Sequence, residues 1–143
     1  MGKINWTRVL LGGLLAGVVL IILGYVALPL YLRNILDPEF AALGRPVKQT
    51  FGFQTFWIIF NIVSGILAVW LYAAIRPRYG AGPKTALCAG LAVWALQNLS
   101  SDAVMHGFGI FSSKGVVADS LTGLVMYVVA TLLGAWVYKE QSQ

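Results

Sequence analysis

Apolar residues fill four long stretches, at about 7–30, 53–75, 85–105 and 116–138, and short polar joints separate them. A helix needs roughly 20 mostly apolar residues to cross a bilayer. Each stretch therefore predicts a crossing helix, and the fold class expected is all-α: a polytopic membrane protein whose four transmembrane helices form one antiparallel bundle over residues 1–143. Pro29 is expected to kink or end the first helix near the far interface, with Tyr31 as an anchor at headgroup level. The longest joint follows. There Asp37 suits a cap, Pro38 the first helical position and Gly44 a stop, which predicts a short surface helix over about 38–43. Phe40 and Leu43 lie three apart on it, so it serves either as a lid over the mouth of the bundle or as a plain connector. Arg45, Pro46, Val47 and Lys48 read as an extended link. The second helix is expected to end against Arg76, Pro77 and Arg78, in a compact basic hairpin running to Lys84.

Composition sharpens this pattern. The chain is 59% hydrophobic and 10% charged, with a mean hydropathy of +0.80, far from the make-up of a soluble domain. The formal net charge of +5 does not point to nucleic acid, because the basic residues sit at the ends of apolar stretches, where anionic lipid headgroups are the natural partner. Lys3 and Arg8 resemble the front of a signal peptide, but the apolar run is too long and lacks a small-x-small cleavage site, so an uncleaved first helix is expected. Trp6 breaks the myristoylation pattern, and no lipid anchor is expected. Cys88 is the one cysteine, which excludes an internal disulfide and a multi-cysteine metal site. The end holding both termini and the 76–84 turn carries Lys3, Arg8, Arg76, Arg78, Lys84 and Lys139; the other has Arg33, Arg45, Lys48 and Lys114. This imbalance puts both termini in the cytoplasm.

Chemistry concentrates at the end of the third stretch. On a helix Trp94, Asn98, Asp102 and His106 recur every four residues and share a face, with Gln97 and Ser101 beside them. Such groups are costly in hydrocarbon unless they meet protein or water, so this face is expected to point inward. Asn61, on a small-residue face with Trp57, Ser64, Gly65 and Ala68, joins it as a lone amide that needs a partner. Asp119 reads as a carboxylate in the first turn of the fourth helix, favoured there by the helix dipole. The candidate polar cluster is thus Asn61, Asn98, Asp102, His106 and Asp119. Gly13, Gly17, Gly65, Ala130 and Gly134 are the candidate helix-packing positions, the pairs Gly13/Gly17 and Ala130/Gly134 having small-xxx-small spacing.

Two segments echo one another. Leu67, Trp70 and Tyr72 near the end of the second stretch match Leu133, Trp136 and Tyr138 near the end of the fourth, and 8–16 loosely matches 84–92. Two repeated helix hairpins of the same orientation, related by an axis along the membrane normal, would give this pattern; so would the general enrichment of Trp and Tyr at interfaces. The opening with Ile4, Asn5, Trp6, Thr7 and Arg8, the turn from Tyr72 to Lys84 and the ending with Trp136, Tyr138, Lys139 and Glu140 resemble those of small bacterial inner-membrane proteins without an assigned activity. That resemblance covers about half of the chain, implies a bacterial inner-membrane location and four helices, and brings no functional residue with it.

No phosphate loop, dinucleotide fingerprint, nucleophile elbow or zinc-protease pair occurs, so no catalytic residue is assigned and no enzyme activity is expected. The expected function is that of a non-catalytic subunit, packing through its small-residue faces against a larger membrane complex or copies of itself. The alternative is a small proton-linked or small-molecule carrier that uses the polar cluster at the outer mouth. A second alternative is a pigment or redox subunit with a haem or related pigment on His106. Apart from that pigment no cofactor or metal is expected, since Asp102 and His106 are too few ligands for a tight metal site.

Overall fold

The computed structural model describes residues 4–44, 48 and 50–140. The expected link at Arg45, Pro46 and Val47, and the charge of Lys3, lie outside the described residues, as does the side chain of Tyr31. The chain is helical almost throughout: α1 Trp6–Ala27, a π-helical segment Leu28–Leu36, α2 Asp37–Ala42, α3 Phe51–Tyr79, α4 Pro83–Trp94, a second π segment Ala95–Leu99, α5 Ser100–Gly107 and α6 Ser113–Val137. Among them α1, α3 and α6 are long and apolar enough to cross a membrane.

Several boundaries differ from the sequence reading for local reasons. The first helix neither stops nor simply kinks at Pro29. Proline has no N–H, and its ring crowds the carbonyl four residues back, and from Leu28 the backbone widens into π turns. The Asn34 amide stays close to that stretch, donating to the carbonyls of Pro29 (3.3 Å) and Leu30 (3.0 Å). Because this segment runs straight into α2, the residue before Asp37 is already helical and no side chain caps the helix. Pro38 and Gly44 act as expected, Gly44 taking a positive φ of 70°. The second long helix continues past Pro77 to Tyr79 and stops at Gly80, whose N–H returns to the Arg76 carbonyl at 2.9 Å. α6 starts at Ser113, earlier than expected, because the Ser112 hydroxyl accepts the Gly115 N–H at 3.1 Å as an N-cap. Asp119 is consequently not in the first turn, and its expected role as a charge at the helix start does not hold.

The helices pack small side against small side. α1 and α3 run antiparallel in close contact: a Cβ added to Gly13 would lie 2.5 Å from the Ile66 Cα, one on Gly17 would lie 2.7 Å from the Ile62 Cα, and one on Gly65 would strike the backbone of Gly17 and Gly13. Gly12 and Gly134 bring α1 against α6 in the same way, and Ala130 is buried beside them. Gly13, Gly17, Gly65 and Gly134 are thus in close contact within this chain. α4 packs on α6 and α3 but does not touch α1. Large apolar residues such as Leu10, Leu14, Ile22, Ile59, Leu121 and Val125 point outward. Small inside and large apolar outside is the reverse of a water-soluble bundle and suits a hydrocarbon surround.

Asn5, Tyr138 and the 80–82 turn meet at one end. There the Tyr72 and Tyr138 rings contact edge to face at 5.9 Å. Each hydroxyl accepts a backbone N–H next to the start of a helix: Tyr72 from Gly82 and Tyr138 from Asn5, both at 3.4 Å. Arg76 lies over the Tyr138 ring, 5.5 Å from its centroid, and 3.5 Å from the Glu140 carboxylate.

Candidate functional site

At the opposite end the helices part around a cavity of about 420 Å³. Five helical elements shape it. α1 contributes Gly24, and α3 contributes Trp57, Phe60 and Asn61. The second π segment and α5 supply Gln97, Asn98, Ser101, Asp102 and Met105, while α6 supplies Asp119, Thr122, Gly123, Met126 and Tyr127. Phe111, in the turn before α6, completes the lining.

The π segment sets the register of the polar face. An α-helix turns about 100° per residue, so a four-residue repeat drifts by about 40° at each step; a wide i→i+5 turn at 95–99 slows that rotation. Trp94, Asn98 and Asp102 thereby keep facing α6. The Trp94 indole N–H donates to the Ser120 carbonyl at 2.9 Å, the Asn98 amide donates to Asp119 Oδ2 at 2.7 Å, and the Ser120 hydroxyl donates to Asp102 Oδ2 at 2.5 Å. Beside them the Tyr127 hydroxyl donates to Gln97 Oε1 at 2.8 Å. Asn98 reaches Asp119 because Gly123 lies under it: a Cβ there would occupy the place of the Asn98 side-chain oxygen. Asp102 is 2% exposed and lines the cavity together with Asp119.

Asn61 is 5% exposed and bonds within its own helix, its amide donating to the Trp57 carbonyl at 2.8 Å. Trp57 is fixed by Gly24, where a Cβ would lie 2.5 Å from the indole, and by the Tyr25 ring, 5.4 Å away edge to face.

His106 is not part of this constellation. The face that α5 turns toward α6 ends at Asp102; His106 is exposed, does not line the cavity, and its Nδ1 pairs with the Phe111 carbonyl at 2.8 Å. The structure thus joins Asn61, Asn98, Asp102 and Asp119 around one space and separates His106 from them. Among the described residues no three His, Cys, Asp or Glu side chains converge as a metal set.

Four participants escaped the sequence reading. Ser120 and Tyr127, the partner of Gln97, complete the bonds between the second π segment, α5 and α6. The one sequence signal was a tyrosine in mid-helix, since a buried phenol generally finds a partner. The other two, Glu39 and Ser112, join α2 to the start of α6. The Glu39 carboxylate of α2 accepts the Ser112 N–H at 3.3 Å and the Ser112 hydroxyl, with Gly115 so close that a Cβ would lie 2.5 Å from Glu39 Oε2. Phe40 meets Phe111 edge to face at 5.9 Å. The surface helix is thereby fixed to the turn that precedes α6.

No family model, curated protein or solved structure matches this chain.

Proposed function

We propose that the protein is a small integral-membrane carrier that binds a small polar solute in the 420 Å³ cavity lined by Asp102 and Asp119 and moves it in exchange for protons. The observation that carries this reading is the meeting of both carboxyls with Asn61, Asn98 and Gln97 around one space of ligand size. Pockets for small molecules span about 300–1,000 Å³ and carry a few convergent polar groups. Asn98 donates to Asp119 and Ser120 donates to Asp102. Gly13, Gly17, Gly65 and Gly134 make their close contacts within the chain, so the carrier reading draws on the cavity and not on these faces.

In this reading α4, the second π segment and α5 form the fourth crossing. Their helical path from Pro83 to Gly107 is unbroken, and at about 1.5 Å per residue it extends on the order of 35 Å, enough for a hydrocarbon core of about 30 Å. The basic excess at the end holding Arg8, Arg76, Arg78, Lys84 and Lys139 puts both termini in the cytoplasm and opens the cavity outward. A bacterial inner membrane rests on the resemblance of the opening, the turn and the ending. With so few helices, two copies would form the complete carrier.

The test is a solute screen in proteoliposomes containing a pH-sensitive dye, with cationic, neutral and anionic small solutes. At least one class is expected to move with a counter-flow of protons, and Asp119→Asn is expected to abolish that movement. Folded wild-type protein that moves no solute removes the proposal.

A further inference from the structure

We infer that the solute is a single-chain amphiphile with an uncharged, hydroxyl-bearing head, and that it reaches the cavity sideways from the outer leaflet, between α3 and α5. This rests on the carrier reading above, the head being the polar part that the cavity holds. Three features of the structure converge on that ligand.

The first is a gap in the wall. α3 packs on α1, α4 and α6, but none of its Cα atoms comes within 8 Å of one in the second π segment or α5. Residues on both sides of that gap nevertheless line the cavity, Trp57 and Phe60 on α3 and Gln97, Ser101 and Met105 opposite. Phe60 is 41% exposed and Ser101 is exposed as well, so on each side a residue of the cavity wall also belongs to the outer surface. The second feature is depth. Phe60 lies nine residues inside Phe51, where α3 starts, and Ser101 lies six residues from Gly107, where α5 ends. At about 1.5 Å per residue these positions are roughly 14 and 9 Å from the helix ends, at the level of the lipid chains, since each leaflet contributes about 15 Å of hydrocarbon. A ligand entering here comes from lipid, and its chain never crosses water. A charged head would have to pass through hydrocarbon on that route, where a charge is costly; an uncharged one passes far more easily. The third feature is polarity. The Phe60 ring stacks on that of the exposed Phe56 at 6.1 Å, which gives the gap an apolar lip. Inside, the amides of Asn61 and Gln97 and the hydroxyls of Ser101 and Thr122 line the cavity. Such groups present both donors and acceptors, and a hydroxyl, which is donor and acceptor at once, matches either.

Photolabelling of the full chain in lipid nanodiscs tests the inference, with 1-O-dodecylglycerol carrying a diazirine near the head end of its chain as the probe. Labelled positions, read by mass spectrometry, should gather beside the gap at Phe60, Ser101 and Met105, at least about tenfold above the outward-facing Leu121 and Val125 of α6. Excess unlabelled dodecylglycerol should remove that labelling. Glycerol, which lacks the chain, 1-bromododecane, which lacks the hydroxyl head, and dodecyl phosphate, which is charged, should leave it in place. Ser101→Trp, which adds bulk on the α5 side of the gap, should lower the labelling by about tenfold, whereas Leu121→Trp on α6 should not change it. Ser101→Leu serves as a second variant should Ser101→Trp fail to fold, and should also lower it. Labelling spread evenly over the outward faces overturns the inference. So does competition by glycerol, bromododecane or dodecyl phosphate equal to that of dodecylglycerol, or undiminished labelling in the folded Ser101 variant. Dodecylglycerol also joins the liposome screen. If the gap is not labelled while other solutes move with protons, the amphiphile fails and the carrier reading stands. If the gap is labelled as expected but nothing moves, the carrier reading fails and the amphiphile site stands. If neither occurs, both fail.

Discussion

The hairpin of α1 and α3 and the hairpin of α4, α5 and α6 start alike at the terminal end, each with a tyrosine hydroxyl on a backbone N–H, and then diverge. In the first, Gly13, Gly17 and Gly65 press backbone on backbone, with no room for a single added carbon. In the second, Gly90 has its nearest neighbour, Thr131, 3.2 Å from an added Cβ; beyond it the backbone widens into π turns and polar side chains span the gap. The separation of helices in a membrane is set by the residues between them, because no hydrophobic force draws apolar helices together in lipid. Small residues bring two backbones together and seal the contact. Amides and carboxyls hold helices at side-chain length, and the space left over is the cavity.

Replacing Gly65 should break the first hairpin most severely. Gly65→Ala would drive a methyl group into the Gly13 and Gly17 backbone, and overpacking of that kind costs typically 1–3 kcal/mol, so a loss of about 3 kcal/mol is expected. Equilibrium unfolding in mixed detergent measures it, and wild-type stability in that variant would erase the contrast between the hairpins. Gly123→Ala should come next, displacing Asn98 from Asp119. Loss of a hydrogen bond to a charged group predicts about 2 kcal/mol, read by the same unfolding titration. Gly90→Ala tests the same chemistry at the looser position and should cost less than about 1 kcal/mol; a cost equal to that of Gly65→Ala would show that the second hairpin is no looser. His106→Ala should have the smallest effect. The ring is exposed and makes one bond to the Phe111 carbonyl, so the melting temperature should stay within about 2 °C of the wild type, with ligand binding unchanged. A visible absorption band lost in that variant would restore the pigment reading.

Much of the fold was legible in the pattern of apolar positions. Three of the four apolar stretches became single helices long and apolar enough to cross a membrane, and the short surface helix, with Pro38 near its start and Gly44 at its stop, lies where expected. The third stretch was misread as one regular helix, because the π turns at 95–99 carry no residue type that separates them from ordinary helix. That is also why the four-residue repeat placed His106 with Asp102: the repeat describes a local face, and whether that face continues depends on what packs against it. Asp119 was misassigned because the N-cap at Ser112 moved the helix start upstream. Glu39 carried no local signal, since its partner Ser112 lies 73 residues away and local periodicity does not reach that far.

The sequence by itself determined what depends on residues close along the chain: helical structure throughout, three stretches able to cross a membrane, small residues at helical spacing and a polar third stretch. Solvent preference and backbone propensity act over one or two turns, so they are written locally. Tertiary structure alone decided that the glycine faces close on one another within the chain, that Asn61 and Asp119 share a cavity with Asp102, and that α2 docks on the rim through Glu39. Those outcomes depend on helix separation and register, which are set by steric contacts between residues tens of positions apart.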